Sequence, residues 1–220
     1  MPRRFKRFRR ATRRTGRKTG FFNKKYSISQ MASSALRGVS YLRGLVNSEM
    51  LKLDTAFTGG VGGGSLTSIV PLTQNDSASG RTGNSVFVRS VNWKGSVSRT
   101  TAGNAVQVIR FGVLMDTQQL GDTTPSYTDV FSADNPYCHL NASTVGRYKI
   151  LSTKTVILDT VQKLGIPFEI NLPMKHHIRF NGTASSDIQK GGLYIYACSD
   201  QASANYPTFA SEARLSYHDN

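Results

Sequence analysis

The sequence predicts an all-β sandwich domain carried behind a strongly cationic N-terminal arm. Three observations predict it. From residue 49 onward, short runs rich in Val, Ile, Thr and aromatic residues recur between clusters of Gly, Pro, Ser, Asn and Asp, which is the pattern of strands and turns. Charge is segregated: of 28 Lys and Arg, fourteen fall in residues 1–47, while none of the 13 Asp and Glu does. Helical periodicity is nearly confined to one segment ahead of the strands. At 220 residues the chain is long enough for one large β-domain with a buried core.

Residues 1–26 form the arm. Lys and Arg come there in pairs, separated by Thr, Gly and a few Phe. Twelve like charges repel one another, and too little apolar area is present to offset the entropy of ordering, so the arm is expected to be disordered when unbound. Residues 27–47 change character. Ser27-x-x-Gln30 has the form of a capping box. Met31, Ala35, Val39, Leu42, Leu45 and Val46 then fall within about 120° of arc on a helix. The segment reads as a short amphipathic helix, weakened by Gly38 and Gly44 at up to about 1 kcal/mol each. Three uses stay open for it: packing on its own domain, packing on neighbouring copies or nucleic acid, and lying on a membrane surface.

Residues 48–220 form the β-domain. Strands are expected near 50–57, 65–72, 85–98, 105–116, 147–158, 166–180 (one strand or two), 192–199 and 208–217. Val91, Trp93 and Val97 alternate against Asn92, Lys94, Ser96 and Ser98. Ile166, Phe168, Ile170, Leu172 and Met174 alternate against Pro167, Glu169, Asn171, Pro173 and Lys175. Val106 and Val108 change phase into Ile109, Phe111, Val113 and Met115, which predicts a bulge or a strand covered on both faces. Tyr127 to Phe131 fits one helical turn inside a long loop. Trp93, Val97, Phe111, Val113 and Ile195 are the expected core. About eight strands with long loops and almost no helix favour a sandwich.

The arm carries the functional signal. Arg3, Arg4, Lys6, Arg7, Arg9, Arg10, Arg13, Arg14, Arg17, Lys18, Lys24 and Lys25 ask for a polyanion. Each cation that neutralises a phosphate releases a counterion, so binding is largely sequence-independent and salt-sensitive. Phe5, Phe8, Phe21, Phe22 and Tyr26 stand among these charges and are candidates for stacking on unpaired bases. The same basic clusters suit a nuclear import signal.

Other chemistry is not supported. Cys138 and Cys198 have neither metal-ligand spacing nor the makings of a disulfide framework, and a reducing compartment is the simplest reading. No apolar run reaches the roughly 18 residues of a membrane span. The glycine run Gly59 to Gly64 lacks the Gly-Lys-Ser/Thr ending of a phosphate loop and reads as a flexible inter-strand loop. His176 and His177 are adjacent on a strand, so they point to opposite faces and do not readily share a metal. His139 and His218 are isolated. No catalytic residue, metal or cofactor is called, and the chain does not read as an enzyme.

Three stretches carry a family resemblance: Asp116 to Gly121 with Pro125 and Asp129 to Phe131; Arg147 to Val156; and Phe180 to Thr183 with Asp187, Ile188 and Gly192 to Tyr196. With the arm and the helix ending Leu45 to Glu49, they resemble the capsid proteins of circular, Rep-encoding single-stranded DNA viruses. The branch is the one similar to the satellite tobacco necrosis virus coat. The resemblance implies an eight-stranded antiparallel jelly roll of two four-stranded sheets, and a closed icosahedral shell of about 60 copies with the arm inside. It implies as partners other copies of the chain, a single-stranded DNA genome and a host import receptor, with the virion and the host nucleus during assembly as locations.

A second reading is a cellular nucleic-acid-binding β-domain with a basic tail. Such a protein usually continues its basic surface onto the folded domain. Residues 48–220 hold 14 cations and 13 acids, a net of 14 − 13 = +1, which favours a shell subunit. An enzyme on a jelly roll would need clustered His and acids on neighbouring strands, which the sequence does not show.

Overall fold

The computed structural model describes residues 28–45, 49–77, 79–101, 104–119, 123–201 and 205–219. It divides into two units, Met1–Asn47 and Ser48–Asn220. The first contributes helix α1 (Ile28–Leu45). On its apolar stripe Met31, Ala35 and Val39 are exposed, as is Leu36 off the stripe. The arm (1–26), Ser27 of the expected capping box, Val46 and the side chains of Leu42 and Leu45 lie outside the described residues.

The second unit holds β1 (Met50–Gly60), β2 (Ser65–Ser68), β3 (Ser85–Ser98), β4 (Val106–Asp116), α2 (Tyr127–Val130), β5 (Tyr148–Asp159), β6 (Gly165–Phe180), β7 (Ile188–Lys190), β8 (Gly192–Ser199) and β9 (Thr208–Asp219). One sheet has the order β1-β9-β3-β6-β7 and the other β2-β8-β4-β5. Every neighbouring pair is antiparallel. The first and last long strands lie side by side, and the chain passes repeatedly from one sheet to the other. With β7 set aside, this is the strand order of a jelly roll.

The two-sheet jelly roll thus stands, with differences in detail. One sheet has five strands because β7 adds two paired positions, Arg179 with Lys190 and Phe180 with Ile188, to the edge of β6. Three residues are too few to announce a strand by alternation. Residues 166–180 form one strand, not two. Pro167 and Pro173 are tolerated because β6 pairs with β3 along its length but with β7 only at its end, leaving the rest of one side without a ladder to break. The strand expected over 65–72 ends at Ser68. Pro71 has no donor to extend it, yet Ile69 still bonds the Leu193 carbonyl at 3.1 Å, and Ile69, Val70 and Leu72 are buried.

The inner faces of both sheets close on an aromatic nucleus. Trp93 packs edge-on against Phe57, Phe111 and Phe168 at 5.7, 5.5 and 4.9 Å between ring centroids. Its indole N–H donates to the Ser211 hydroxyl at 3.0 Å, which donates in turn to the Phe57 carbonyl at 2.8 Å. Trp93, Val97, Phe111, Val113 and Ile195 are all fully buried, as the alternation predicts.

The phase change between Val108 and Ile109 falls where Gln107, Val108 and Ile109 are all buried and the ladders are continuous, so cover on both faces accounts for it, and a bulge occurs further along β4. There the register with β5 shifts between Val113 and Leu114. The cover comes from two clusters: Ile109, Phe111 and Val113 join the main core, while Leu114 joins a second cluster with Tyr127, Val130, Phe131, Tyr148, Tyr194, Tyr196 and Cys198. That cluster is roofed in part by α2, the helical turn expected at 127–131. Ser126 caps it: the Ser126 hydroxyl accepts from the Asp129 N–H at 3.2 Å, and the Asp129 carboxylate accepts from the Ser126 N–H at 2.8 Å.

The glycine run does connect strands, but it is pinned rather than slack. Val61 N–H bonds the Pro207 carbonyl and Ser199 N–H bonds the Gly62 carbonyl, both at 2.9 Å. A Cβ on Gly64 would lie 1.8 Å from Cγ of Tyr127, and one on Gly62 would lie 2.0 Å from the Tyr206 ring. These glycines let aromatic rings lie directly on backbone.

Candidate nucleic-acid interface

All the contacts predicted on the arm, from Arg3 to Tyr26, lie outside the described residues. A second basic surface emerges on the folded body, on the face of the five-stranded sheet that turns away from the core. Ladder register arranges that face in rows. Ser85, Arg179 and Lys190 form the first. Met50, His218, Phe87 and His177 form the next, and Lys52, Ser216, Ser90 and Pro173 the third. Arg89 and Lys175 sit between the second and third rows, where the β3–β6 register shifts between Val88 and Ser90. A bulge of this kind re-aims side chains locally.

Lys52, Arg89, Lys175, His177, Arg179 and Lys190 are all exposed. No carboxylate occurs among the described residues of these three rows or the bulge. The carboxylates at the neighbouring strand ends are engaged: Asp219 accepts from the Thr82 N–H and hydroxyl at 2.7 and 2.6 Å, and Asp187 from the Ala184 N–H at 2.9 Å. The opposite half of the same face differs. Asp54 and Arg214 pair there in two bonds of 2.7 Å, which holds the Asp54 carboxyl below its usual range, and Glu212 and Glu169 flank Lys94 in the next row. The body's net charge of +1 therefore hides a cationic end and a mildly acidic end on one sheet face.

The cationic end also carries rings. Half-buried Phe87 lies 4.7 Å from His177 and 6.5 Å from His218 between ring centroids, the latter stacked. The Arg89 guanidinium lies 5.9 Å over the Phe87 ring. Beside them a cavity of about 520 Å³ is lined by Asn84, Ser85, His177, Arg179, Phe180 and Gln189. The Ser85 hydroxyl and His177 Nδ1 are 3.3 Å apart at its wall. A shallower hollow of about 730 Å³ at the other end is rimmed by Glu169 and Glu212 around Lys94, which is poor lining for a polyanion.

His176 and His177 diverge as adjacent strand residues must. His177 is exposed, whereas His176 is half-buried, and burial lowers its pKa first of all causes. Among the described residues no group of three or more His, Cys, Asp or Glu is placed to hold a metal, and no helix is long and apolar enough to cross a membrane. Cys138 and Cys198 are free thiols, and Tyr127 Oη lies 3.9 Å from the Cys138 sulfur. Sequence reading missed the cationic end because its members come from five strands. The one local signal was the polar face of β6, where Lys175, His177 and Arg179 recur at every second position.

No family model matches the chain, and no curated protein matches it. Among solved structures it is similar to a chain of Desmodium yellow mottle tymovirus at 11% identity, over 79% of this chain and 90% of that one, with a TM-score of 0.35. A chain of Turnip Yellow Mosaic Virus is similar at 13% identity over 78% and 94%, with a TM-score of 0.33. The capsid protein of BFDV, in a 60-mer structure, is similar at 11% identity over 78% and 93%, with a TM-score of 0.30.

Proposed function

We propose that the chain is the coat subunit of a small virus, a structural protein that assembles with copies of itself and gathers a single-stranded DNA genome with its basic arm. The observation that carries the reading is the combination of a jelly-roll body with an arm whose twelve cations meet no acid in the first 47 residues. The body supports it with apolar surface in need of cover. Val106, Ile157, Val161 and Leu164 are 52–83% exposed and gather where β4 begins and β5 ends. A closed shell buries such surface against neighbouring copies. The arm's paired cations also suit a host import receptor, which gives a subunit made in the cytoplasm a route to a nuclear genome.

The cellular nucleic-acid-binding reading gains one observation: the basic surface does continue onto the folded domain, at Arg89, Lys175, Arg179 and Lys190. Assembly separates the two. Size-exclusion chromatography with electron microscopy of purified protein is expected to show closed particles of uniform diameter. A stable monomer at every salt and protein concentration would overturn the coat reading and favour the cellular one.

A further inference from the structure

We propose that the Phe87 end of the five-stranded sheet is a second contact for single-stranded nucleic acid, in which a base stacks on the Phe87–His177 pair and the flanking phosphates are held by Arg89, Lys175, Arg179 and Lys190. This deepens the nucleic-acid reading of the arm and rests on it.

Stacking and charge neutralisation both have their groups in place. Single strands are bound by aromatic platforms that offer a π-face to any base, combined with a cationic track for the backbone. A β-sheet presents such a platform well, because side chains in one row of adjacent strands lie about 5 Å apart and point the same way. Here His218, Phe87 and His177 occupy one row on β9, β3 and β6, and their rings are already arranged at 6.5 and 4.7 Å. Exposed cations stand on both sides of that row: Arg179 and Lys190 toward the strand ends, Arg89, Lys175 and Lys52 toward the middle of the sheet.

The adjoining cavity supplies shape and polarity. Its 520 Å³ or so takes one nucleotide-sized group, and Ser85, Asn84 and Gln189 line it with donors and acceptors suited to base edges or sugar hydroxyls. Met50, where β1 begins, pairs with His218 in the same row as Phe87 and His177. Arm and body belong to one chain, so a strand held by the arm meets the body at a raised effective concentration. A patch made only to keep the protein soluble would need no aromatic row between its cations, and acidic residues would serve equally well.

The test uses the full-length protein and a fluorescent oligo(dT) titrated over a salt series. Phe87→Leu keeps apolar bulk in the sheet and removes the ring, and is expected to weaken binding about fivefold to tenfold with an unchanged salt slope. Arg89→Gln/Lys175→Gln/Arg179→Gln is expected to lower the slope of log K against log salt by about 2, at roughly 0.7 per phosphate contact on a single strand. Lys94→Gln, at the far end of the same face, is expected to leave both unchanged. Ultraviolet cross-linking of oligo(dT) to intact protein should map to peptides containing Phe87 and His177. Cross-links confined to the arm, with unaltered affinity in the Leu and triple variants, would overturn this site and leave the arm reading intact. Failure of the intact protein to bind oligo(dT) at low salt would overturn both. Equal competition by poly-glutamate, with no effect of Phe87→Leu, would make the patch a general anion surface and defeat the proposal.

Discussion

Asp116 and Arg147 form a two-pronged ion pair that ties together the ends of the long β4–β5 connection. Arg147 Nε donates to Oδ1 at 3.0 Å and its terminal nitrogen to Oδ2 at 2.7 Å, across 31 positions of sequence. The Asp116 side chain is fully buried and that of Arg147 is 20% exposed. Around the pair, the Thr117 N–H and hydroxyl bond the Arg147 carbonyl at 2.9 and 2.7 Å, and the guanidinium lies 4.8 Å over the Tyr148 ring. The clamp fixes the segment that carries α2 over the second hydrophobic cluster.

Asp116→Asn is expected to destabilise the fold by about 2–3 kcal/mol, because it leaves a largely buried guanidinium without its counter-charge while keeping one acceptor. Urea unfolding measures it. A loss below about 0.5 kcal/mol would mean that water compensates the guanidinium and the clamp is dispensable.

Arg81 is fully buried, yet no carboxylate among the described residues bonds it. It donates to the carbonyls of Leu72 at 3.3 Å, Gly83 at 2.7 Å and Gly182, and its guanidinium lies 4.0 Å over the Phe180 ring. Burial lowers its pKa, the first of the causes acting on it. Arg81→Met fills the volume but strands those carbonyls, and is expected to cost about 3 kcal/mol or more. Arg81→Lys is expected to recover little of it, since one ammonium does not reach three carbonyls in a fixed fork. Thermal unfolding of both variants is the measurement, and full rescue by Lys would show that charge alone matters there.

The strands and main core were legible because β3 and β6 alternate cleanly: Val91, Trp93 and Val97 point inward, as do Phe168 and Ile170. The two-sided burial of β4 showed in its broken phase. What stayed hidden depends on register. Phe87 meets His218 and His177 only because β3 lies between β9 and β6 with one particular pairing, and local pattern encodes which face a residue takes but not its neighbour across the ladder. Net charge misled for the same reason, since +1 averages a cationic row with an acidic one. The pinning of Gly62 and Gly64 by Tyr206 and Tyr127 is likewise a long-range fact.

Cys198 is expected to resist alkylation in the folded protein. Its side chain lies in the second cluster with no exposure, and burial pushes its thiol up to about 11. At pH 8 roughly one molecule in a thousand would carry the thiolate, the reactive form. Because the folded value lies above the ordinary 9.0, folding favours the neutral thiol. That contribution to stability is whole below about pH 9 and shrinks as the pH rises toward 11. Iodoacetamide at pH 8 followed by peptide mapping should label half-buried Cys138 first and Cys198 only after unfolding. Equal labelling of both in the native protein would show that the cluster opens readily.

Deleting residues 2–25 removes twelve positive charges, and among the described residues the buried apolar side chains of the main core lie between Phe57 and Tyr217. The truncated protein is expected to fold, with the fluorescence of its one tryptophan, Trp93, still that of a buried indole. It should lose most of its affinity for single-stranded DNA, and the salt slope should fall by up to about 8 if all twelve cations meet phosphate. Replacing Phe5, Phe8, Phe21 and Phe22 with Leu in the intact chain should weaken binding less and leave the slope nearly unchanged, because stacking releases no counterions. What binding survives truncation should come from the body, and Phe87→Leu should reduce it further. Titration of intact, truncated and Phe-replaced proteins over one salt series reads all of these. Equal affinity and equal slope for intact and truncated protein would remove the arm from the genome-binding role and leave the sheet face as the contact.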